Sequence, residues 1–516
     1  MNHSAVSVVA LLGLVGMALG YARDAGIAAI YGASAVSDAF FIATLIPSIF
    51  GAAIMVGAVT PALIPLLARH DHQSTDKFFN LLFTLAALVL LAVTLVVAGL
   101  AIPLVTFLAP GADSARIALA ARLVVITSPA LWLMGAAALL GALANARGSF
   151  GVPALTTVLV NSGMVVAVLL SARGAQIEWV GWGMVAGSAL LFTLQWWHLR
   201  RHGWRYTPRF ARDATTQEFL RLFLPLFVFV LLAQAVPIVE RRLSAGFPDG
   251  QLSHIAYAGK LYQIPSLLVP TSFAVVLFPA LVQTLHQARA GAFVETLRDG
   301  VRSILFVMLP LSLVFVFAAP ALVRVIFQRG EFSPADTAAT AVLLRVYSLA
   351  IVPAGLLLVL TRAFHARREM MTTLWLGILN TALYVAAAAL LLAWTGLLAL
   401  PLAFVLSQLF GVVSMAVVLM WRLRISFGEL FDAFSARILL AALPMLGVLS
   451  AAVFWLELQV EKTEQWQVFL VWGLSVLAAC VIYFGSALGL RVPDALLMRD
   501  RVLRRRVPIE REKVSV

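Results

Sequence analysis

Apolar runs follow one another along nearly the whole 516-residue chain, separated by short polar segments. Each run is close to the roughly 20 residues that a helix needs to cross about 30 Å of hydrocarbon. Because backbone groups in lipid must be paired within the spanning segment, the runs predict transmembrane helices. The pattern predicts an all-α polytopic membrane protein with fourteen spans, at 4–31, 35–68, 78–108, 115–144, 152–172, 178–198, 217–244, 252–286, 299–327, 335–364, 370–394, 397–421, 437–457 and 465–489.

The chain contains an internal repeat. The stretch "IPSIFGAAIMVGAVTPALI", which includes Pro47 and Pro61, recurs as "IPSLLVPTSFAVVLFPALV" with prolines at the same separation, an offset of 218 residues. Two further matches have nearly the same offset: Pro103 in "AIPLV" corresponds to Pro320 in "AAPALV", and Asn161 corresponds to Asn380. A fixed period of this length indicates two copies of one structural unit.

Each repeat holds six spans, an even number, so both copies enter the membrane in the same direction. Parallel repeats of this kind commonly form a substrate site where they meet. The repeat predicts an N-terminal lobe at 1–215 and a C-terminal lobe at 216–430. It also predicts two added helices within 431–490 and a basic tail at 491–516.

The composition agrees with a membrane protein, since 62% of residues are hydrophobic and only 12% are charged. Soluble domains carry about a quarter charged residues. Cys480 is the single cysteine, which excludes a disulfide within the chain and a cysteine-based metal centre.

The net charge is +13, and the distribution of the basic residues over the loops indicates the topology. With the N-terminus in the cytoplasm, 24 of the 37 lysines and arginines fall in cytoplasmic segments and 6 in external ones. The positive-inside rule then places both termini in the cytoplasm. The basic residues lie between apolar runs, so we expect no nucleic-acid partner, and we interpret the tail as an anchor on an anionic leaflet.

Motifs for nucleotide hydrolysis or metal chemistry are absent from the sequence. There is no G-x-x-x-x-G-K-[ST] loop, no H-E-x-x-H and no nucleophile elbow, and the eight histidines lack metal-ligand spacing. The sequence predicts a transporter without a cofactor, driven by the membrane potential or an ion gradient.

Charged residues inside predicted spans are the main candidates for a transport site. Arg23, Asp24, Asp38 and Lys260 each lie in an apolar run, where a charge costs about 2.5–3.5 kcal/mol and by default indicates a pathway. Neighbouring residues point about 100° apart on a helix, so we expect that Arg23 and Asp24 do not neutralise each other. We expect Arg23 to pair with Asp38 from the next span.

Four residues are supporting candidates. Glu240 and Arg241 lie near the external end of span 7, where an interfacial ion pair would explain them equally well. Asn161 and Asn380 are the polar residues that the repeat places at equivalent positions.

Other polar or small residues in the spans have structural interpretations. Arg122 and Arg345 occupy comparable places in spans 4 and 10, and we expect packing or structural pairing for both. Gly16 and Gly20 lie four residues apart on one face of span 1, which predicts a close-packed seam with another helix.

Three motifs resemble one known family. "GYARDAGIAAIYGASAVSDAFFIATLIP", "VERRLSAGFPDGQLSHIAYAGKLYQIPSLL" and "IFQRGEFSPADT" are similar to spans 1–2, to spans 7–8 and to the connection between spans 9 and 10 of the MurJ (MviN) lipid II flippases. That family belongs to the multidrug/oligosaccharidyl-lipid/polysaccharide exporter superfamily. The resemblance covers nearly the whole chain and implies two six-helix bundles in a V around a cavity, with two further helices beside a groove for the lipid tail.

The resemblance also implies site residues. Arg23 matches the arginine of the family's "RD", Asp38 the aspartate of "DAFF", and Lys260 a basic position in span 8. The chain departs from the family pattern at Met17, at Gly51 with Ala52, and at Lys260 itself, where an arginine is usual. A lysine replaces a bidentate fork with a point charge.

These implications predict a flippase of the bacterial inner membrane that moves an undecaprenyl-pyrophosphate-linked sugar outward by alternating access. In this hypothesis Arg23 and Lys260 hold the pyrophosphate and Asp38 orients Arg23. We expect a monomer, with cell-envelope synthesis proteins as potential partners. The alternatives are a flippase for an exopolysaccharide or O-antigen repeat unit, or a small-molecule or drug antiporter of the same superfamily.

Overall fold

The protein is all-α. The structure is a computed structural model, which describes residues 3–51, 59–67, 72–172, 174, 176–210, 214–286, 291–459 and 465–504, and these residues form helices without any strand. The first eleven helices are α1 (His3–Tyr31), α2 (Ala35–Gly51), α3 (Val59–Leu67), α4 (His72–Gly99), α5 (Ala101–Leu108), α6 (Ser114–Ala146), α7 (Gly151–Ala154), α8 (Thr156–Ser171), α9 (Glu178–Arg201), α10 (Ala214–Ala233) and α11 (Ala235–Ser244).

Eleven more α-helices follow, with a single 3₁₀ turn at Gly396–Leu398. They are α12 (Gln251–His286), α13 (Ala292–Phe317), α14 (Ala319–Phe327), α15 (Pro334–Ser348), α16 (Ile351–Ala366), α17 (Met370–Thr395), α18 (Ala399–Leu423), α19 (Phe427–Leu430), α20 (Ala433–Gln459), α21 (Gln465–Gly489) and α22 (Pro493–Arg504).

Each of the fourteen predicted spans coincides with one of these helices or with a consecutive pair. Among the described residues, ten stretches are long and apolar enough to cross a membrane, and one of them, Met370–Leu423, covers spans 11 and 12. Spans 2, 6 and 7 lie outside these stretches. The helix of span 2 has only 17 described residues before the gap at 52–58.

The repeat is visible in how the helices break. Span 3 is interrupted at Leu100, between α4 and α5, and span 9 is interrupted at Ala318, between α13 and α14. Both residues leave the helical region in the same way, with φ, ψ of −101°, 21° and −85°, 8°. Pro103 and Pro320 follow in the first turn of the next helix, where a missing N–H costs least. Positions 218 residues apart are therefore similar in backbone geometry as well as in sequence.

Two compact units make up the chain. Unit 1 comprises Met1–Tyr257 and Ile326–Thr337, and unit 2 comprises Ala258–Val325 and Ala338–Val516. Unit 1 continues beyond residue 215 because α10 and α11 pack on α2, α3, α4 and α5. The lobe boundaries that the repeat predicts rest on the sequence alone.

Small residues allow close helix packing in unit 1. At Gly187 in α9 an added Cβ would lie 2.5 Å from the Leu159 carbonyl oxygen of α8, and at Gly163 it would lie 2.3 Å from the Gly183 carbonyl oxygen. The predicted seam on α1 is confirmed, because a Cβ at Gly16 would meet Thr157 and one at Gly20 would meet Asn161. Helices α8 and α9 thus touch backbone to backbone, and α1 packs closely on α8, as membrane helices with small residues do.

In unit 2 the two added spans pack on α13. The Tyr483 hydroxyl of α21 donates to the Phe306 carbonyl at 2.8 Å. At the end of the chain, Arg302 Nε donates to the Asp494 carboxylate at 2.6 Å, which ties α22 to α13. The added spans are thus fastened to unit 2 by specific polar contacts.

The α8–α9 seam can be tested by adding volume. We expect Gly187→Val to lower stability by about 3 kcal/mol, the upper range for overpacking a close contact, because the new atoms meet backbone that cannot move aside. The measurement is the thermal unfolding midpoint of the purified protein in detergent. Gly377→Val is the matched control, since a Cβ there meets nothing within 4 Å. Equal midpoints for the two variants would contradict the close packing.

Candidate substrate-binding residues

Arg23 lies on α1 in unit 1, with its side chain 17% exposed. Its Nε and Nη2 both lie 2.8 Å from Asp24 Oδ1. Its Nη1 donates to Asn161 Oδ1 at 2.9 Å, and the Asn161 amide donates to the Gly16 carbonyl at 2.9 Å. Arg23 is therefore held between α1 and α8.

The expectation that Arg23 and Asp24 do not neutralise each other is wrong. The two Cα–Cβ bonds do point in different directions, but the flexible arginine stem lets the guanidinium reach around the helix to the neighbouring carboxylate. Burial favours this, because the Asp24 side chain is only 2% exposed and an unpaired buried charge is costly. The result is a neutral ion pair with a partly accessible guanidinium.

Asp38 does not pair with Arg23, and the predicted pairing is wrong. Its fully buried carboxylate accepts from the Gly250 N–H and the Ser253 N–H, both at 2.8 Å, and from the Ser253 hydroxyl at 2.6 Å. These donors sit at the start of α12, where the backbone N–H groups have no partner within the helix. Asp38 thus caps α12 from α2, and its negative charge suits the positive end of the helix dipole.

Arg116 completes the surroundings of Asp38. Its side chain is 6% exposed, Nη1 lies 3.7 Å from Asp38 Oδ2, and Nη2 forms an ion pair with Asp249. We call Asp38, Arg116, Asp249 and Ser253 the Asp38 network. It joins α2, the first turn of α6 and the turn between α11 and α12, all within unit 1.

Close backbone contacts surround the Asp38 network. Gly250 has φ of +86°, and a Cβ there would lie 2.3 Å from the Ala33 carbonyl oxygen, so only glycine fits. Gly330, with φ of +56°, comes equally close to Ala29, whose carbonyl accepts from the Glu331 N–H at 2.9 Å. The turn after α1, the turn before α12 and the turn after α14 therefore meet at one end of unit 1.

An aromatic cluster lies beside the network. The fully buried Tyr257 ring packs on Phe41, Phe327 and Phe332, with ring centroids 5.2, 4.8 and 5.5 Å away. One turn before it, His254 Nε2 lies 3.5 Å from Asp336 Oδ1. Polar capping and aromatic packing together close this end of unit 1.

The other predicted site residues have separate positions. Lys260 and Asn380 belong to unit 2, where Lys260 is half-buried and Asn380 lies close to Gly411 of α18. Glu240 and Arg241 are half-buried on α11 in unit 1, and the Arg241 guanidinium carbon lies 5.8 Å from the centre of the Phe41 ring.

Arg122 forms the predicted structural pair, with Glu178 at 3.3 Å. Sequence reasoning missed Arg116, Gly250 and Ser253 as partners of Asp38, and Asp249 as a partner of Arg116. The sequence held one signal for the contact of Asp38 with α12. A helix begins directly after "FPDG", and the first N–H groups of that helix need an acceptor from elsewhere in the chain.

Comparison with known proteins identifies the family. The family model described as "Lipid II flippase MurJ" matches residues 27–476. The chain belongs to the MurJ family. Its family and its apolar helices make it a multi-pass protein of the bacterial inner membrane.

MurJ relatives match over most of their length. A protein of Rhizobium meliloti described as "Probable lipid II flippase MurJ" is 26% identical over 502 residues, covering 94% of this chain and 93% of the relative. One of Vibrio cholerae serotype O1 with the same description is 26% identical over 388 residues, covering 72% and 74%.

Solved structures support the fold. The structure titled "Lipid II flippase MurJ, inward closed conformation" matches with a TM-score of 0.79 and 20% identity, over 96% of this chain and 99% of that one. An inward-facing multidrug resistance MATE transporter of the MOP superfamily matches with a TM-score of 0.67, over 81% and 98%. The fold is therefore that of MurJ and of the wider superfamily.

Two positions where the chain departs from the MurJ pattern are described. Met17 is 38% exposed on α1, and Gly51 is half-buried at the end of α2. Ala52 lies outside the described residues. Neither described position supplies a cation.

The Asp38 network predicts a large stability effect. Asp38→Ala leaves the buried N–H groups of Gly250 and Ser253 without their acceptor and removes one of the carboxylates around Arg116, so we expect a loss of about 3–5 kcal/mol. The readout is the thermal unfolding midpoint of the purified protein. Asp113→Ala is the comparison, because Asp113 caps α6, is half exposed and reaches the Arg116 side chain only at 3.7 Å, so about 1 kcal/mol is expected. A similar shift for both variants would mean that Asp38 is an ordinary cap.

Proposed function

We propose that the chain moves lipid II from the cytoplasmic to the outer leaflet by alternating access. The observation that carries this is the MurJ family match over residues 27–476, extended by a relative that aligns over 94% of the chain. No feature of the described residues favours an exopolysaccharide unit or a small molecule over this cargo. The protein acts as a transporter, with both termini in the cytoplasm.

Arg23 is the proposed contact for the cargo's pyrophosphate. It is the partly exposed cation of an otherwise buried pair, and Nη2 keeps an N–H beyond the one directed at Asp24. A pyrophosphate carries more charge than one carboxylate and offers bidentate acceptors, which suit a guanidinium. Arrival of the cargo would therefore loosen Arg23 from Asp24, and departure would restore the neutral pair.

Lys260 is the second proposed cation. It lies on α12, the helix whose first turn Asp38 caps. A lysine suits a mobile headgroup because its ammonium is a point charge with rotatable donors. The hypothesis that Asp38 orients Arg23 is replaced, because its carboxylate is occupied by α12 and Arg116.

The proposed role of Asp38 is to hold one end of the transporter closed. Alternating access requires contacts that form in one state and break in the other. The Asp38 network and the Tyr257 cluster join turns that are far apart in sequence, so opening at this end must break them. A negative cell interior favours outward movement of an anion by about 2.3 kcal/mol per charge per 100 mV.

The cargo assignment is tested by complementation. The gene should restore growth to a strain depleted of its own lipid II flippase, because that cargo is essential for wall synthesis. Membrane expression is measured by immunoblot in parallel. Failure to grow at normal expression would reject lipid II as the cargo.

The role of Arg23 is tested by charge and shape. We expect Arg23→Gln to reduce flipping in proteoliposomes by about 10–100-fold, the loss of one charge-assisted contact, and Arg23→Lys to retain part of the rate. Arg122→Gln is the control, since Arg122 is an exposed arginine of the same unit. Normal flipping by Arg23→Gln would remove Arg23 from the mechanism.

A change at Asp24 tests independently whether the cargo replaces Asp24 as the partner of Arg23. In Asp24→Asn the guanidinium has lost its competing anion, so lipid II should bind more tightly, by about tenfold for a pair worth 1.4 kcal/mol. The measurement is equilibrium binding of lipid II to the purified variant. Unchanged affinity would show that the cargo does not displace Asp24.

A further inference from the structure

A cavity of about 440 Å³ opens in unit 1 where α4 begins and α6 and α9 end. Arg147, Ser149, His198 and His202 line it, together with Asp76. The charge count places this end of the helices in the cytoplasm. The cavity is far in sequence from Arg23 and from the Asp38 network, and the proposed transport cycle does not use it.

The cavity offers hydrogen-bond donors with spare capacity. Asp76 pairs with Arg147 through Nη2, and Arg147 Nε is buried without a hydrogen-bond partner among the described residues. The Ser149 hydroxyl lies 2.8 Å from His198 Nε2. His202 Nδ1 lies 2.7 Å from the His198 carbonyl, which leaves Nε2 for a ligand. A phosphoryl oxygen can accept from all three kinds of group.

The stretch 197–210, which includes the cavity-lining residues of α9 and which we call the rim, is basic and aromatic. Arg200, Arg201, Arg205 and Arg209 are exposed, and Arg201 stacks over the Trp197 ring at 4.2 Å. Trp197 is 49% exposed and Phe210 is 72% exposed. Exposed aromatic rings beside arginines at the end of a span are typical of the headgroup level of an anionic leaflet.

The rim is also fixed in place. Trp204 is fully buried against Phe79 and Phe83 of α4, and its indole N–H donates to Asn80 Oδ1 at 2.9 Å. The Asn80 amide in turn donates to the Arg205 carbonyl at 2.9 Å. The segment after α9 therefore lies along α4, and its arginines need little ordering to bind a ligand.

We propose that this cavity binds the phosphodiester headgroup of an anionic phospholipid from the cytoplasmic leaflet. Arg147, Ser149 and His202 contact the phosphate, and the four rim arginines attract the negatively charged leaflet. The acyl chains lie along Trp197 and Phe210. Asp76 holds Arg147 in place through their ion pair, and the positive charges of the four rim arginines remain.

The test is a lipid titration of the full-length protein in detergent, followed by native mass spectrometry. The probes are dioleoyl phosphatidylglycerol, dioleoyl phosphatidylcholine and sodium phosphate. We expect saturable binding of phosphatidylglycerol that is at least about tenfold weaker for Arg201→Gln/His202→Gln, from the loss of the His202 contact with the phosphate and of one rim charge. Both residues are exposed, so this variant should fold, and its thermal midpoint is measured alongside.

Arg422→Gln is the matched control, because Arg422 also lies near an exposed tryptophan, Trp421, at the end of a span. It should bind phosphatidylglycerol as the unaltered protein does. An equal loss in this control would show that any basic and aromatic surface suffices and would overturn the site. Equal binding of phosphatidylcholine, or tight binding of sodium phosphate that displaces phosphatidylglycerol, would overturn the assignment of an anionic lipid.

Discussion

The Asp38 carboxylate is the interaction on which the rest of unit 1 depends. A buried charge must be paired and hydrogen-bonded, since the protein interior cannot replace the water that it loses. Gly250 and Ser253 supply the hydrogen bonds and Arg116 supplies the opposite charge, so three turns that are separate in sequence must meet around one side chain. The glycines at these turns follow from that requirement, because a Cβ would keep the backbones apart.

The charged residues of spans 1 and 2 therefore differ in their surroundings. The oxygens of Asp38 accept from backbone and serine donors and its charge is paired with Arg116, so Asp38 is fixed at one end of unit 1. Arg23 and Asp24 pair with each other, Arg23 also contacts Asn161 and Met164, and the pair remains partly accessible. A neutral pair is stable in an empty site and still offers a guanidinium when a stronger anion arrives. In the proposed mechanism, one motif supplies both a structural anchor and a binding group.

The sequence predicted the helices and the repeat well because both follow from periodic and local properties. The breaks at Leu100 and Ala318 are 218 residues apart, as the prolines indicated. The partners of Asp38 could not be predicted in the same way, since they lie 212 and 215 residues further along the chain. The contact between Arg23 and Asp24 was missed because helix geometry fixes the Cβ direction and not the reach of a long side chain.

The repeat also shows how the two halves differ in charge. The 218-residue offset places Arg241 at the position equivalent to Arg23, but Arg242 stands where the first half has Asp24. Arg242 donates to the Phe107 carbonyl and stacks on its ring at 4.6 Å, so it packs on α5 and provides no carboxylate for Arg241. Counting Glu240, this segment carries a net charge of +1, whereas the Arg23 segment is neutral. The duplicated fold therefore carries a different net charge at these equivalent positions of its two copies.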